Sequence, residues 1–100
     1  MKLRYTPAAI RDLEEIEAYI HDALQNPDAA ANTIAGIAED CAHLKEQPRL
    51  GPELRQKLQR DVEGRCWISG KCIIIYEIGD AISILRILDT RTDYIRILFG

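Results

Sequence analysis

Cysteine is scarce in this chain, and its three copies, Cys41, Cys66 and Cys72, are odd in number and show no CxxC spacing. That pattern speaks against a disulfide framework and against a zinc site, and the expectation is three buried, reduced thiols. Histidine is rarer still: His21 and His43 fall within predicted helices, neither has a second ligand at metal spacing, and both are expected at the surface. No metal and no cofactor is therefore expected. No apolar run approaches the ~18 residues that a membrane-spanning helix requires. The opening Met1-Lys2-Leu3-Arg4-Tyr5 leads straight into a polar helix start, so the protein is expected in the cytoplasm, with no membrane partner.

A strong excess of one charge is missing too. The net charge is only -3, but it is unevenly spread. Residues 1–50 hold five basic and nine acidic side chains, whereas residues 51–100 hold eight and seven. The basic residues gather at Arg55, Lys57, Arg60, Arg65 and Lys71, where they can meet phosphates or an acidic partner, although Asp61 and Glu63 interrupt them. A chain of 100 residues with 47% hydrophobic side chains has the balance of one domain, residues 1–100, with a modest core. A domain of this size buries only about two thirds of the surface its unfolded chain exposes, so a partner that covers apolar surface is plausible from size alone.

The punctuation of the chain is clear. Lys2 to Tyr5 alternates polar and apolar residues and predicts a short strand. Thr6-Pro7 then reads as an N-cap followed by proline at the first helical position. Ile10, Leu13, Ile16, Ile20 and Leu24 form a helical stripe, and Asp12, Glu14, Glu15 and Glu17 read as a solvated acidic face matched to the helix dipole. Asn26-Pro27-Asp28 repeats the stop and start, and Ala30, Ile34, Ile37, Ala38, Cys41 and Leu44 carry a second helix until Pro48 and Gly51-Pro52 end it. The short connection predicts a helical hairpin. Gly51 to Arg60 reads as loop or one loose helical turn.

Three β-rich runs follow, Arg65 to Ile68, Cys72 to Ile78 and Ala81 to Leu88, and they predict an antiparallel meander. Ile73-Ile74-Ile75 is apolar on both pleat faces, so its strand is expected to be central. With Ser69-Gly70 as a two-residue turn, Trp67 lies opposite Cys72, and Cys66 points to the other face from Cys72, which rules out a bridge between them. Arg86 interrupts an apolar run. It either points outward or is buried against an anion, for which Asp89 and Asp93 are the candidates, and a structural ion pair stands beside a binding role. The chain's last residues, Ile95-Arg96-Ile97-Leu98-Phe99, are apolar enough to dock on the core or to form a partner-covered patch.

Taken in order, these pieces resemble the RelE/ParE toxin superfamily. The residues that carry the resemblance are Ala9, Asp12, Leu13, Ile16, Tyr19 and Ile20; Asn26, Pro27, Ala29 and Ala30; Leu44, Pro48 and Gly51; Ile74-Ile75-Tyr76; and Ile84-Leu85-Arg86-Ile87-Leu88 followed by Arg91, Asp93 and Tyr94. The resemblance implies an α+β fold in which an N-terminal strand and a helical hairpin precede and pack on a three-stranded antiparallel meander. It also implies a toxin of a type II toxin-antitoxin system, held silent by a cognate antitoxin protein.

The superfamily divides between toxins that cut messenger RNA on the ribosome and ParE-like toxins that poison DNA gyrase, and fold alone does not choose between them. Cleavage by 2'-hydroxyl attack needs a proton acceptor, a proton donor and cations at the scissile phosphate. For that activity the resemblance nominates Arg65, Lys71, Arg91 and Tyr94, with Tyr94 alternatively packing the chain end among Ile97, Leu98 and Phe99. The cleaving members, however, are similar in carrying an arginine three positions before the middle-strand tyrosine, where this chain has Ile73. Glu63 and Gly64 stand where they tend to be basic, and Asp89 stands where many relatives have a histidine. The resemblance is therefore closer to ParE-like members, which bind a target through exposed side chains; Arg86, Arg91 and Arg96 are the expected target-binding residues, with the ribosome and mRNA as the alternative target. A toxin fold that has lost its activity and serves as a binding module is a third expectation.

Overall fold

Thr6 decides how the chain leaves its first strand. Its hydroxyl accepts the backbone N–H of Ala9 at 3.1 Å, capping the first helix, and donates to the carbonyl of Leu85 at 2.9 Å, which fastens that helix start to the last strand. A computed structural model describes residues 1–100. The elements are β1 (Lys2–Tyr5), α1 (Pro7–Ala18), α2 (Pro27–Glu46), α3 (Leu54–Leu58), β2 (Arg65–Ser69), β3 (Cys72–Ile78), β4 (Ala81–Asp89) and α4 (Tyr94–Phe99). The helix α1 runs on through a π-helical turn, Tyr19–Ala23. Asn26 caps α2 by accepting from Ala29 N–H at 3.1 Å, with Pro27 in the first turn, where its missing N–H costs no hydrogen bond. The predicted loose turn after Gly51 is the five-residue α3.

The α+β fold is thus a strand, a helical hairpin and a three-stranded antiparallel meander, as the sequence predicts, and β1 joins the meander to make one sheet of order β1-β4-β3-β2. It pairs parallel to β4, Lys2 opposite Ala81 through Tyr5 opposite Ile84. A parallel partner has to arrive by a crossover, and α1 and α2 lie within the connection between β1 and the meander. No helix is long and apolar enough to cross a membrane.

β3 is buried on both faces, for the reason its isoleucine run suggests. Cys72, Ile74 and Tyr76 join Ala9, Ile37, Cys41, Leu44, Ile82, Ile84 and Ile87 in the main core. Ile73 and Ile75 join Leu54, Cys66 and Leu88 in a second, smaller one, which Leu58, Tyr94 and Leu98 partly cover. A bulge keeps β4 in step with this arrangement: Ile75 lies opposite Arg86 and Tyr76 opposite Ile84, so Leu85 is the extra residue. Ile84 and Ile87, three positions apart, reach the same core because of it.

Two expectations about this region shift. The turn between β2 and β3 is Gly70-Lys71, not Ser69-Gly70, since Ser69 pairs with Cys72 and Trp67 with Ile74. Gly70 takes the left-handed φ of 59° that such a turn requires. Cys66 and Cys72 still belong to different cores, and all three cysteines are buried free thiols. The apolar stripe of α1 is only half used: Leu13 and Ile16 pack on the core, but Ile10 is 46% and Leu24 56% exposed. The buried positions of this helix are Ala9 and Asp12.

Candidate functional site

Asp12 lies on the same helical face as Ala9, Leu13 and Ile16, three and four positions apart, and therefore faces the sheet. Asp12 as a residue is only 6% exposed, and burying a charge at this depth demands partners. Arg86 supplies two of them, Nε donating to Oδ2 at 2.8 Å and Nη2 to Oδ1 at 2.9 Å. The backbone N–H of Ile87 donates to Oδ2 at 2.9 Å. This third bond explains the position: β1 covers β4 only up to Ile84, and beyond that point Thr6 and Asp12 take over the exposed edge groups of Leu85 and Ile87. The anion that Arg86 needs is therefore Asp12 on α1, in place of Asp89 or Asp93. The expectation that Asp12 belongs to a solvated, dipole-matched face is corrected for the same reason; Glu14, Glu15 and Glu17 are exposed, but none of the four lies in the first turn. The hydrogen bonds to Asp12 push the Arg86 pKa up.

Just beyond β4 the chain turns sharply at Asp89. Its carbonyl accepts from Thr92 N–H at 3.1 Å and from the Thr92 hydroxyl at 2.7 Å, and its Oδ1 accepts the backbone N–H of Arg91 at 2.8 Å. The Arg91 guanidinium folds back on the same carboxylate, Nη2 donating to Oδ2 at 2.7 Å. Those hydrogen bonds hold the Asp89 carboxyl below its ordinary range and raise Arg91. Thr90 fixes this turn to the neighbouring one, its N–H and hydroxyl both donating to the Lys71 carbonyl, at 2.9 and 3.0 Å.

Two grooves open from this corner. The larger, of about 680 Å³, runs between the helical hairpin and the β2–β3 turn; Ile16, Tyr19, Leu24 and Ile37 give it an apolar wall, and Glu39, Asp40, Lys71, Asp89 and Arg91 are its charged lining. The smaller, of about 440 Å³, lies between α1 and α4 and shares Ile16, Tyr19, Asp89 and Arg91 with the first. Tyr19 begins the π-helical turn and is 56% exposed, so the irregular turn carries an aromatic ring to the rim between the two grooves. A concave trough with an apolar wall and polar groups along its lining is the form a docking site for a polypeptide segment takes.

Residues 3–94 match the family model of the ParE toxin of type II toxin-antitoxin systems, parDE. The chain belongs to the ParE toxin family. It is 32% identical over 97 residues to a protein of Sinorhizobium fredii named as a toxin, Y4kP, covering 97% of this chain and 96% of that one. Among solved structures it is similar to a chain of the chromosomal ParDE toxin-antitoxin system from P. aeruginosa, with a TM-score of 0.73, 25% identity, and coverage of 89% of this chain and 95% of that one.

Within this ParE-family fold the nominated residues separate. Lys71 and Arg91 both line the larger groove. Arg65 lies at the other end of β2, opposite Tyr76, about 13 Å of strand away from Ser69 at ~3.3 Å per residue. There its guanidinium donates to the Gly51 carbonyl at 2.6 Å, beside a Tyr76 hydroxyl that donates to Pro48 O at 2.7 Å and accepts from Gly51 N–H at 3.0 Å. Tyr94 packs against the second core, below the sheet face opposite the main core. Arg86 is spent on Asp12, and Arg96 is exposed on α4. No three His, Cys, Asp or Glu side chains converge as metal ligands would.

The side chains whose roles here sequence reasoning did not assign are Asp12, Tyr19 and Asp89. A signal for Asp12 exists, a carboxylate at helical spacing from Ala9 and Ile16 on the buried face. The place of Tyr19 at the groove rim and the pairing of Asp89 with Arg91 carry none, because the π-helical turn and the Asp89 clamp are products of packing.

Proposed function

We propose that this ParE-family toxin arrests growth by binding a large cytoplasmic target, DNA gyrase, without itself making or breaking a covalent bond, and that residues 1–100 act as one toxin domain. The observation that carries this reading is the fate of the RNA-cleaving positions. Ile73 is fully buried where the cleaving relatives have an arginine, and Arg65 lies a strand's length from Lys71 and Arg91. Several convergent polar groups around one phosphate are needed for cleavage, and this arrangement supplies two cations lining one groove. A cognate antitoxin would neutralise the toxin by laying an amphipathic segment along the apolar wall formed by Ile16, Tyr19, Leu24 and Ile37. Of the three arginines nominated for target binding, Arg96 and the Asp89-paired Arg91 are exposed, with Arg86 holding the surface in place behind them.

The test is supercoiling of relaxed plasmid by purified gyrase in the presence of this protein, run beside ribosome-dependent mRNA cleavage. Inhibited supercoiling with intact mRNA is the expected result. Intact supercoiling with cut mRNA would transfer the function to the ribosome-dependent endoribonuclease reading. On that second reading, Arg91→Ala should abolish cleavage.

A further inference from the structure

Arg91 is the cation common to both grooves, yet its charge is already met. Nε lies 3.0 and 3.3 Å from the two Asp89 carboxylate oxygens, and Nη2 lies 2.7 Å from Oδ2. The Nε and Nη2 edge of the guanidinium is thereby occupied. The Arg91 side chain is 62% exposed, but its partner is held: the Asp89 backbone and side chain are themselves fixed by the bonds from Thr92 and from Arg91 N–H, and Thr90 ties the turn to Lys71. The remaining charges around the larger groove are Lys71 against Glu39 and Asp40. In the smaller groove Glu15 stands near Asp12, whose charge Arg86 already meets.

Binding to a nucleic-acid backbone draws its strength from net positive charge and the counterions it releases. An arginine held by its own carboxylate adds no net charge to the groove mouth. We infer that Asp89 is a specificity-determining residue, which neutralises Arg91 and so keeps nucleic-acid phosphates out of a groove whose apolar wall suits a polypeptide. This inference rests on the reading of the protein as a binding toxin and names the ligand class its groove rejects.

The experiment measures the affinity of the purified protein for a fluorescent single-stranded RNA of about 20 nucleotides by anisotropy, over a salt series from roughly 50 to 300 mM. Asp89→Asn keeps an oxygen that can accept the turn's hydrogen bonds and removes the charge. It should bind at least about tenfold more tightly than the unaltered protein at the lowest salt, with a log–log salt slope steeper by about 0.7, the value for one further phosphate contact on a single strand. Asp80→Asn removes the same charge from the exposed β3–β4 turn and should leave the affinity near that of the unaltered protein. The double variant Asp89→Ala, Arg91→Ala removes the whole pair and should also bind as the unaltered protein does. A gain in Asp80→Asn equal to that in Asp89→Asn, no gain in Asp89→Asn, or a loss in the double variant overturns the inference; the double variant decides it even where Asp89→Asn does not fold. Failure here is separate from failure of the gyrase reading, which the supercoiling and cleavage assays judge on the unaltered protein.

Discussion

Asp12 on α1 and Arg86 on β4, 74 positions apart, meet in a two-pronged ion pair at 2.8 and 2.9 Å, and the same carboxylate accepts the Ile87 backbone N–H. The pair does what a further strand residue would do at the edge of β4, and it ties α1 to the sheet beside the smaller groove. The Asp12 side chain is 7% and the Arg86 side chain 31% exposed, so the anion is the more costly group to leave alone.

Substituting Asp12 with alanine strands Arg86 and Ile87 N–H together. Breaking a buried pair by removing one partner typically costs ~3–5 kcal/mol, and the partial exposure of Arg86 places this case at about 3 kcal/mol. Urea unfolding measures it. A loss below about 1 kcal/mol, the ordinary value of a surface pair, would show that Asp12 does not hold α1 to the sheet.

The Tyr76 hydroxyl and Gly51 form the second fastening, between the end of α2 and the sheet. Tyr76→Phe removes a donor to Pro48 O and an acceptor for Gly51 N–H, and a loss of about 1–3 kcal/mol is expected, read by thermal or urea melting. Gly51→Ala should be worse than Tyr76→Phe, because an added Cβ would collide with the Cys66 carbonyl and the Tyr76 hydroxyl. Equal stability of Gly51→Ala and the unaltered chain would mean that this connector sits elsewhere.

Acid should release the Asp89 clamp. The folded state holds this carboxyl below its unfolded value near ~3.9, so its contribution to stability is complete above that value and is lost as pH falls through the lower folded pKa. The difference in melting temperature between the unaltered protein and Asp89→Asn should be constant above pH ~5 and shrink in more acidic solution. A difference that stays constant into strong acid would deny the pairing with Arg91.

Alkali should destabilise the fold through its thiols. Burial pushes Cys41, Cys66 and Cys72 up, and it also raises Tyr76. A raised folded pKa means stability that is whole below the unfolded value, ~8.5 for cysteine, and declines as pH rises past it. The matching chemical test is alkylation at pH ~8, where three thiols that are all buried should react only as fast as the chain opens. Rapid labelling of the native protein would contradict the burial of all three.

Cutting the chain before Tyr94 should uncover the second core. Tyr94 and Leu98 lie against the cluster of Leu54, Cys66, Ile73, Ile75 and Leu88. Leu98→Ala, at a partly buried site, should cost about 1–2 kcal/mol, less than the ~2–5 kcal/mol of a fully buried leucine. The exposed Ile97 and Phe99 on the same helix, 50% and 43% accessible, should tolerate alanine within about 0.5 kcal/mol. A melt in which Ile97→Ala is the more damaging would reverse the orientation of α4.

Much of this was legible along the chain. Thr6-Pro7 and Asn26-Pro27 mark helix starts by local chemistry, a side-chain oxygen for an orphan N–H and a ring that fits the first turn. The isoleucine run marks β3 as central because only a strand covered on both faces can afford it. The order and spacing of these pieces were enough to suggest the superfamily. Packing settled the rest. Whether Asp12 is solvated or buried, whether Arg86 answers to Asp12 or to Asp89, and which of Arg65, Lys71 and Arg91 share a groove depend on partners brought together from distant positions. Local propensity carries no record of those partners, since a charged side chain reads the same in sequence whether water or a guanidinium 74 residues away satisfies it. The chain's own pattern determined which elements form; the tertiary structure decided which charges they leave free.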